Sequence, residues 1–338
     1  MSDAQSIMEL SSRSERGDPS AQYVLGRLYY EGTGVEKDVD RAVELIKASA
    51  ESGYPPAEYT YGFFLHSGIG MPVDKVEAIH WYRRAADQGN ADAQYGLGYM
   101  CDKGDGVSVN RMEAAKWYML AADQGHAAAQ CNLGILYFNG WGVRRDRKEA
   151  FRLLSMSAEQ GNLDAMFNVG RMFETGEGVD QDLTAALRWY SRAASEGEPH
   201  ALYEVGLRYL RGEGVKLDEA LAAKMFTAAA EGKDIGATLT LGMMYYSGTG
   251  VHQSYDHARE LFAEAALAWD PLAIFMIGLM YYNGEGVEKD ERKGVGLAKL
   301  AAEIGSHEAI DFLSRFGRSS EVLLVAGDDL YLRPAVRA

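Results

Sequence analysis

Residues able to do chemistry are scattered along this chain rather than gathered. Seven histidines stand at His66, His80, His126, His200, His252, His257 and His307. None forms the helical i,i+4 pair with an intervening carboxylate that would offer a metal two imidazoles and a general base on one face. His252 and His257 lie five apart around Ser254, a poor spacing for chelation. The two cysteines, Cys101 and Cys131, belong to no CxxC motif. Gly-x-Gly recurs, but each copy follows a stretch of helical periodicity, so the strand–glycine turn–helix arrangement that cradles a dinucleotide fails on context. No catalytic residue, cofactor site or metal site is expected, and a small molecule is not an expected ligand.

Composition narrows the partners. The formal charge is −15, so a nucleic-acid duplex would be repelled, and none is expected as partner. Hydrophobic residues make up 47% of the 338, ample for a buried interior. A single core rarely grows past roughly 250–300 residues, so several domains or a repeat array must distribute that interior. No stretch approaches the ~20 apolar residues needed to span a bilayer, so membrane insertion is not expected. The N-terminus lacks the basic start and apolar run of a signal peptide. The expected location is the cytoplasm, or the periplasm or exterior if a leader has been removed.

The elements that position these residues are repeats. Gly-x-Gly begins at Gly32, Gly68, Gly104, Gly140, Gly176, Gly212, Gly248 and Gly284, each step spanning the same 36 residues. Alanine recurs in step from Ala21 to Ala309, and a second glycine column runs from Gly26 to Gly278. Asp18-Pro19 and Asp270-Pro271 place a capping side chain before a proline, the signature of a helix start. This first helix, A, runs about twelve residues to the Gly-x-Gly reversal. Helix B starts at a second cap register: Asp38, Asp74, Asn110, Asp146, Asp182, Asp218, Ser254, Asp290. It carries pairs such as Trp81-Tyr82 and Trp117-Tyr118 and usually stops at a glycine. A glycine inside helix A costs roughly 1 kcal/mol against alanine, a loss sustained only where two helices must approach closely. The Ala21 and Gly26 columns are therefore expected at helix–helix contacts. Cys101 and Cys131 fall six registers apart on neighbouring helices, ~13 Å at ~1.5 Å rise and ~10 Å between axes, too far for a disulfide.

These columns resemble the Sel-one-like repeat (SLR) family, a relative of the tetratricopeptide repeats. Ala129, Leu133-Gly134, Tyr137 and Gly140-Trp141-Gly142-Val143 match the first half of the family's unit. Ala114, Trp117-Tyr118, Ala121-Ala122 and Gly125 match the second half. The resemblance covers roughly residues 17–310 and implies an all-α, right-handed α/α superhelical solenoid that scaffolds protein complexes, with no shared catalytic residues. The expected organisation is a capping helix over 1–17, eight repeats over 18–305, a half repeat over 306–316 and an irregular tail over 317–338.

By analogy with tetratricopeptide arrays, helix A lines the concave face, which would take a protein or peptide. The aromatic column beginning Tyr23, Tyr59, Tyr95 is expected mainly to pack. Two variable columns offer either recognition or packing. The first reads Arg27, Phe63, Tyr99, Ile135, Arg171, Leu207, Met243, Leu279; the second reads Tyr30, His66, Asp102, Phe138, Glu174, Leu210, Tyr246, Tyr282. A further candidate is Trp141, which stands where other copies place Thr, Ile, Asp or Glu, followed by Arg144, Arg145, Arg147 and Lys148. Trp and Arg are frequent interface anchors, and basic residues at a helix start oppose its dipole, though a solvated loop with a tucked Trp is the alternative. Trp269, in the glycine stop register, either fills a gap or marks a bend. The apolar tail through Glu321 and Tyr331-Leu332 either caps the last helices or lies in a groove. Two roles remain open: a scaffold or adaptor, or a dedicated inhibitor such as an immunity protein or antagonist regulator.

Overall fold

The computed structural model describes residues 3–316, which form eighteen α-helices and, among the described residues, no strand. The all-α fold of 36-residue hairpins expected from the sequence is the fold observed. A first helix, α1 (Asp3–Glu15), precedes the hairpins. The next five pair α2 (Pro19–Glu31) with α3 (Val39–Glu51), α4 (Pro55–Ser67) with α5 (Lys75–Asp87), α6 (Ala91–Lys103) with α7 (Arg111–Asp123), α8 (Ala127–Asn139) with α9 (Arg147–Glu159), and α10 (Leu163–Thr175) with α11 (Leu183–Ser195). These lie in one compact unit ending at Glu198. A second unit starts at Pro199 and pairs α12 (Pro199–Arg211) with α13 (Glu219–Glu231), α14 (Ile235–Ser247) with α15 (Tyr255–Leu267) and α16 (Pro271–Asn283) with α17 (Glu291–Glu303), followed by α18 (His307–Phe316). Within each unit, helix B of one hairpin packs on helix A of the next. The tail from Gly317 lies outside the described residues.

Caps set the helix lengths. Asp18 accepts from the N–H groups of Ser20 and Ala21, and Asn90, Asn162, Asp234 and Asp270 each accept from the residue three places on. His126 does the same through Nδ1, 3.2 Å from the Ala129 nitrogen. All eight helix B caps accept a backbone N–H of the first turn. Each satisfied donor stabilises its helix by about 1 kcal/mol.

Close approach explains the glycine inside helix A. A Cβ on Gly98 would lie 2.6 Å from the ring of Tyr118, which is wholly buried. Gly62 meets Tyr82, Gly170 meets Tyr190, Gly206 meets Phe226 and Gly242 meets Phe262 in the same way. The helix B aromatic thus seats on the missing side chain of its own helix A. The second glycine of Gly-x-Gly does a different task. A Cβ on Gly142 would lie 2.3 Å from the carbonyl carbon of Arg111, and one on Gly178 2.3 Å from the carbonyl oxygen of Arg147. Each loop therefore rests on the first turn of helix B in the preceding hairpin.

A polar ladder also ties hairpins together. Gln94 and Gln130 are buried and donate 3.2 Å hydrogen bonds to the carbonyls of Ala86 and Ala122, at the ends of the preceding helix B. Each accepts in turn from a glutamine 30 residues on, Gln124 or Gln160, at 2.7 Å. In the second hairpin the rung is Glu58, which accepts from Gln88 at 2.7 Å and has the Arg84 guanidinium 2.8 Å from its other oxygen. Its burial pushes the carboxyl above its ordinary range, and Arg84 only partly opposes this.

The stop register breaks twice without disturbing the hairpins. Lys233 and Trp269 take the positive φ values, 69° and 61°, that glycines supply elsewhere. Trp269 is exposed, so it does not fill a gap.

Candidate functional site

The two variable helix A columns part company in the structure. The column of Tyr30 is half-buried throughout. Tyr30 packs 5.1 Å from Phe64, with the Lys37 ammonium 5.6 Å from its ring. His66 Nε2 lies 2.7 Å from Asp105, whose other oxygen is 2.5 Å from Lys75. Asp105 is the middle residue of the next hairpin's Gly-x-Gly loop, so it fastens that loop to both helices of the hairpin before. Lys75, then His66, hold its carboxyl below the usual carboxylate range. Asp102 faces Arg111 at 3.5 Å and Lys103 at 3.3 Å. Phe138 lies between two guanidinium groups, Arg147 at 5.5 Å and Arg171 at 5.4 Å, and Arg147 pairs with Glu177 of the next loop at 2.8 Å. Glu174 accepts from the Tyr190 hydroxyl at 2.8 Å. In the second unit the Tyr246 hydroxyl donates to Glu285, again a loop-centre residue of the next hairpin, and Tyr282 meets Phe312 edge-on at 5.3 Å. At Tyr30, His66, Phe138, Tyr246 and Tyr282 this register reaches the following hairpin or helix as a clasp, while Asp102 and Glu174 pair within their own hairpins.

The column of Arg27 is different. Phe63 and Tyr99 keep 40% and 39% of their surface exposed on adjacent helices, and Arg27, Arg171 and Met243 are exposed as well. Arg27 forms a 2.5 Å ion pair with Glu31 on its own helix, which leaves the pair free to face a partner. Between α8 and α10 this face dips into a recess of ≈ 80 Å³ lined by Ile135, Phe138, Asn139, Asn168, Arg171 and Met172, with Leu154 of α9 at its base. The recess would accommodate one apolar side chain, and the Arg171 guanidinium at its rim would favour a neighbouring carboxylate.

The aromatic column of Tyr23 packs, as expected. Tyr59, Tyr95, Phe167 and Tyr203 lie 5.5 to 5.9 Å from the helix B aromatics Tyr82, Tyr118, Tyr190 and Phe226. The Trp141 loop forms a separate surface. Trp141 is 43% exposed, with the Arg111 guanidinium 4.3 Å from its ring centroid. Arg144 and Arg145 are exposed and form no ion pair among the described residues.

Ser254 and His257 lie 2.9 Å apart, but the serine is the helix cap and the imidazole stacks on Tyr245. Among the described residues no group of three His, Cys, Asp or Glu side chains could hold a metal ion, and no helix is long and apolar enough to cross a membrane. Cys101 and Cys131 are free thiols; burial raises both, Cys131 to about 12.

Sequence reasoning missed the clasp and the ladder. The ladder had a signal: Gln22, Glu58, Gln94 and Gln130 form a polar column directly beside the alanine column of buried helix contacts.

Stacked helical hairpins with one exposed, variable helix face define a repeat module of the kind that builds protein-interaction surfaces. The Sel1 repeat model matches residues 19–54, 55–90, 91–126, 127–162, 163–198, 199–234, 237–268 and 271–306, and the chain belongs to the Sel1 repeat family. Proteins of this family generally serve as protein-interaction scaffolds. Among solved structures the chain is similar to c5321, a protective antigen present in uropathogenic Escherichia coli strains and displaying an SLR fold. The two share 32% identity over 93% of this chain and 68% of that one, with a TM-score of 0.79. It is also similar to a Sel1 repeat protein from Oxalobacter formigenes, at 32% identity over 91% and 89% of the two chains and a TM-score of 0.65. No match was found among curated proteins.

Proposed function

We propose that the chain is a non-catalytic scaffold that binds a protein or peptide across the helix A face of its first unit. The observation that carries this reading is the contrast between columns. The Tyr30 register is half-buried in helix contacts, whereas Arg27, Phe63, Tyr99 and Arg171 stand exposed in one register of helix A. A row of exposed aromatic and Arg side chains with one recess suits an extended segment that drops a single apolar side chain between α8 and α10.

Affinity capture from lysate of the native host tests it, comparing wild type with Arg27→Glu/Phe63→Ala/Tyr99→Ala. All three side chains are on the surface, so the variant should keep its helical circular dichroism and lose the partner. Retention of every captured protein by the variant would refute this face as the binding surface.

A further inference from the structure

The edge formed by the A-to-B loops of the second, third and fourth hairpins carries a surface that the helix A reading does not use. Val73, Val76, Val109 and Met112 are exposed there, Val76 and Met112 to 73% and 63%. They lie along one edge because each loop rests on the first turn of helix B in the preceding hairpin. A Cβ on Gly106 would lie 2.8 Å from Lys75, next to Val76, and one on Gly142 would lie 2.5 Å from the Met112 nitrogen. The strip ends at Trp141, beyond which come Arg144, Arg145 and Lys148, all exposed and without an ion pair among the described residues. In other hairpins the positions equivalent to Val73 hold Lys37, Gln181, Leu217, Gln253 and Lys289, and none of those hairpins matches the four basic residues within positions 144–148.

Apolar side chains exposed to this degree lose about 25 cal/mol per Å² of burial for as long as they face water, and an unmatched basic cluster in a chain of charge −15 calls for an anionic complement. Both demands must be met by one occupant, because strip and cluster adjoin at Trp141. A duplex would satisfy the cations but leave the valines and methionine uncovered. A bilayer or duplex would also meet the acidic remainder of the chain, whereas a narrow polypeptide touches only the edge.

We propose that this loop edge is a second docking surface, for a protein segment that alternates or intersperses acidic and apolar residues. Its apolar side chains cover Val76, Met112 and Trp141, and its carboxylates pair with Arg144, Arg145 and Lys148. The surface is separate from the helix A face, so the chain could hold two partners at once. This inference does not depend on the helix A reading.

The test is fluorescence anisotropy with a labelled synthetic peptide built from Glu and Leu, against versions with every Leu made Ser or every Glu made Lys. The Glu/Leu peptide should bind at least about tenfold more tightly than either control. Arg144→Glu/Arg145→Glu/Lys148→Glu and Val76→Ser/Met112→Ser/Trp141→Ser should each weaken it by about tenfold or more, while Phe63→Ala/Tyr99→Ala leaves it unchanged. Equal binding of the Glu/Ser peptide, or no effect of the charge reversal, would overturn the proposal. So would tighter binding of duplex DNA or of phosphatidylserine vesicles than of the Glu/Leu peptide. Loss of binding only in the Phe63→Ala/Tyr99→Ala protein would move the peptide to the helix A face and leave the loop edge without a ligand.

Discussion

Replacing Gly142 by alanine separates two roles of glycine in this fold. Gly142 has φ 71°, and Gly125, in the turn from helix B to the next helix A, has φ 87°. Either alanine must therefore adopt a left-handed conformation, at roughly 1–2 kcal/mol. Nothing lies within 4 Å of a Cβ at Gly125, so that cost is the whole effect there. At Gly142 the added carbon falls 2.3 Å from the Arg111 carbonyl carbon and oxygen, and 2.5 Å from the Met112 nitrogen. These are backbone atoms in the first turn of α7 and cannot swing aside as a side chain end would. Overpacking of this kind costs about 1–3 kcal/mol, additional to the conformational cost shared by both variants. With a urea slope of about 2 kcal/mol per molar, the midpoint of Gly142→Ala should fall roughly 0.5–1.5 M below that of Gly125→Ala. Urea titration followed by circular dichroism measures the difference. Coincident midpoints would show that the loop does not rest on the preceding hairpin.

Other consequences follow from the buried polar groups. Glu58→Gln should raise the thermal midpoint at neutral pH: burial lifts the Glu58 carboxyl in the folded state, so its cost is absent below the unfolded pKa and grows as pH rises through the folded one. The gain of the variant should therefore shrink in acid; a gain independent of pH would contradict this. Asp105 behaves in the opposite sense. Lys75 and His66 hold its carboxyl low, so its contribution is full above the unfolded carboxylate pKa and is lost as pH falls through the folded value. Asp105→Asn should lower the midpoint at neutral pH and match wild type in strong acid, as read by thermal melts across pH. Cys131, its thiol pushed up to about 12 by burial, should resist iodoacetamide at pH 8 in the folded protein and react once urea is added. Labelling at equal rates with and without urea would place it at the surface.

The repeat, its caps and the Gly26 contact column were legible because each depends on neighbours within one hairpin. Asp38 can be read as a cap from the residues that follow it, and the glycine of helix A from its cost alone. What escaped depends on the offset between hairpins. The clasp pairs His66 with Asp105 and Tyr246 with Glu285, each 39 residues apart. A spacing of three more than the repeat becomes visible only once one loop is known to rest on the previous helix B. For the same reason the Arg27 and Tyr30 columns looked alike in sequence, both variable, although the first is exposed at five of its eight positions and the second is half-buried at all eight. Trp269 shows a different limit. Its place in a glycine register suggested a gap or a bend, but an aromatic residue can adopt the left-handed conformation at local cost while its side chain stays in solvent.

The central claim, that a protein partner lies across the helix A face, is tested most directly by site-specific photo-crosslinking in native lysate. A photoreactive residue would be placed in turn at Phe63 and Tyr99 on helix A, and at Met119 and Leu120, exposed on helix B. The expected result is a shared crosslinked protein at Phe63 and Tyr99 that is absent at Met119 and Leu120. The same protein captured from helix B alone, with none from Phe63 or Tyr99, would contradict the claim.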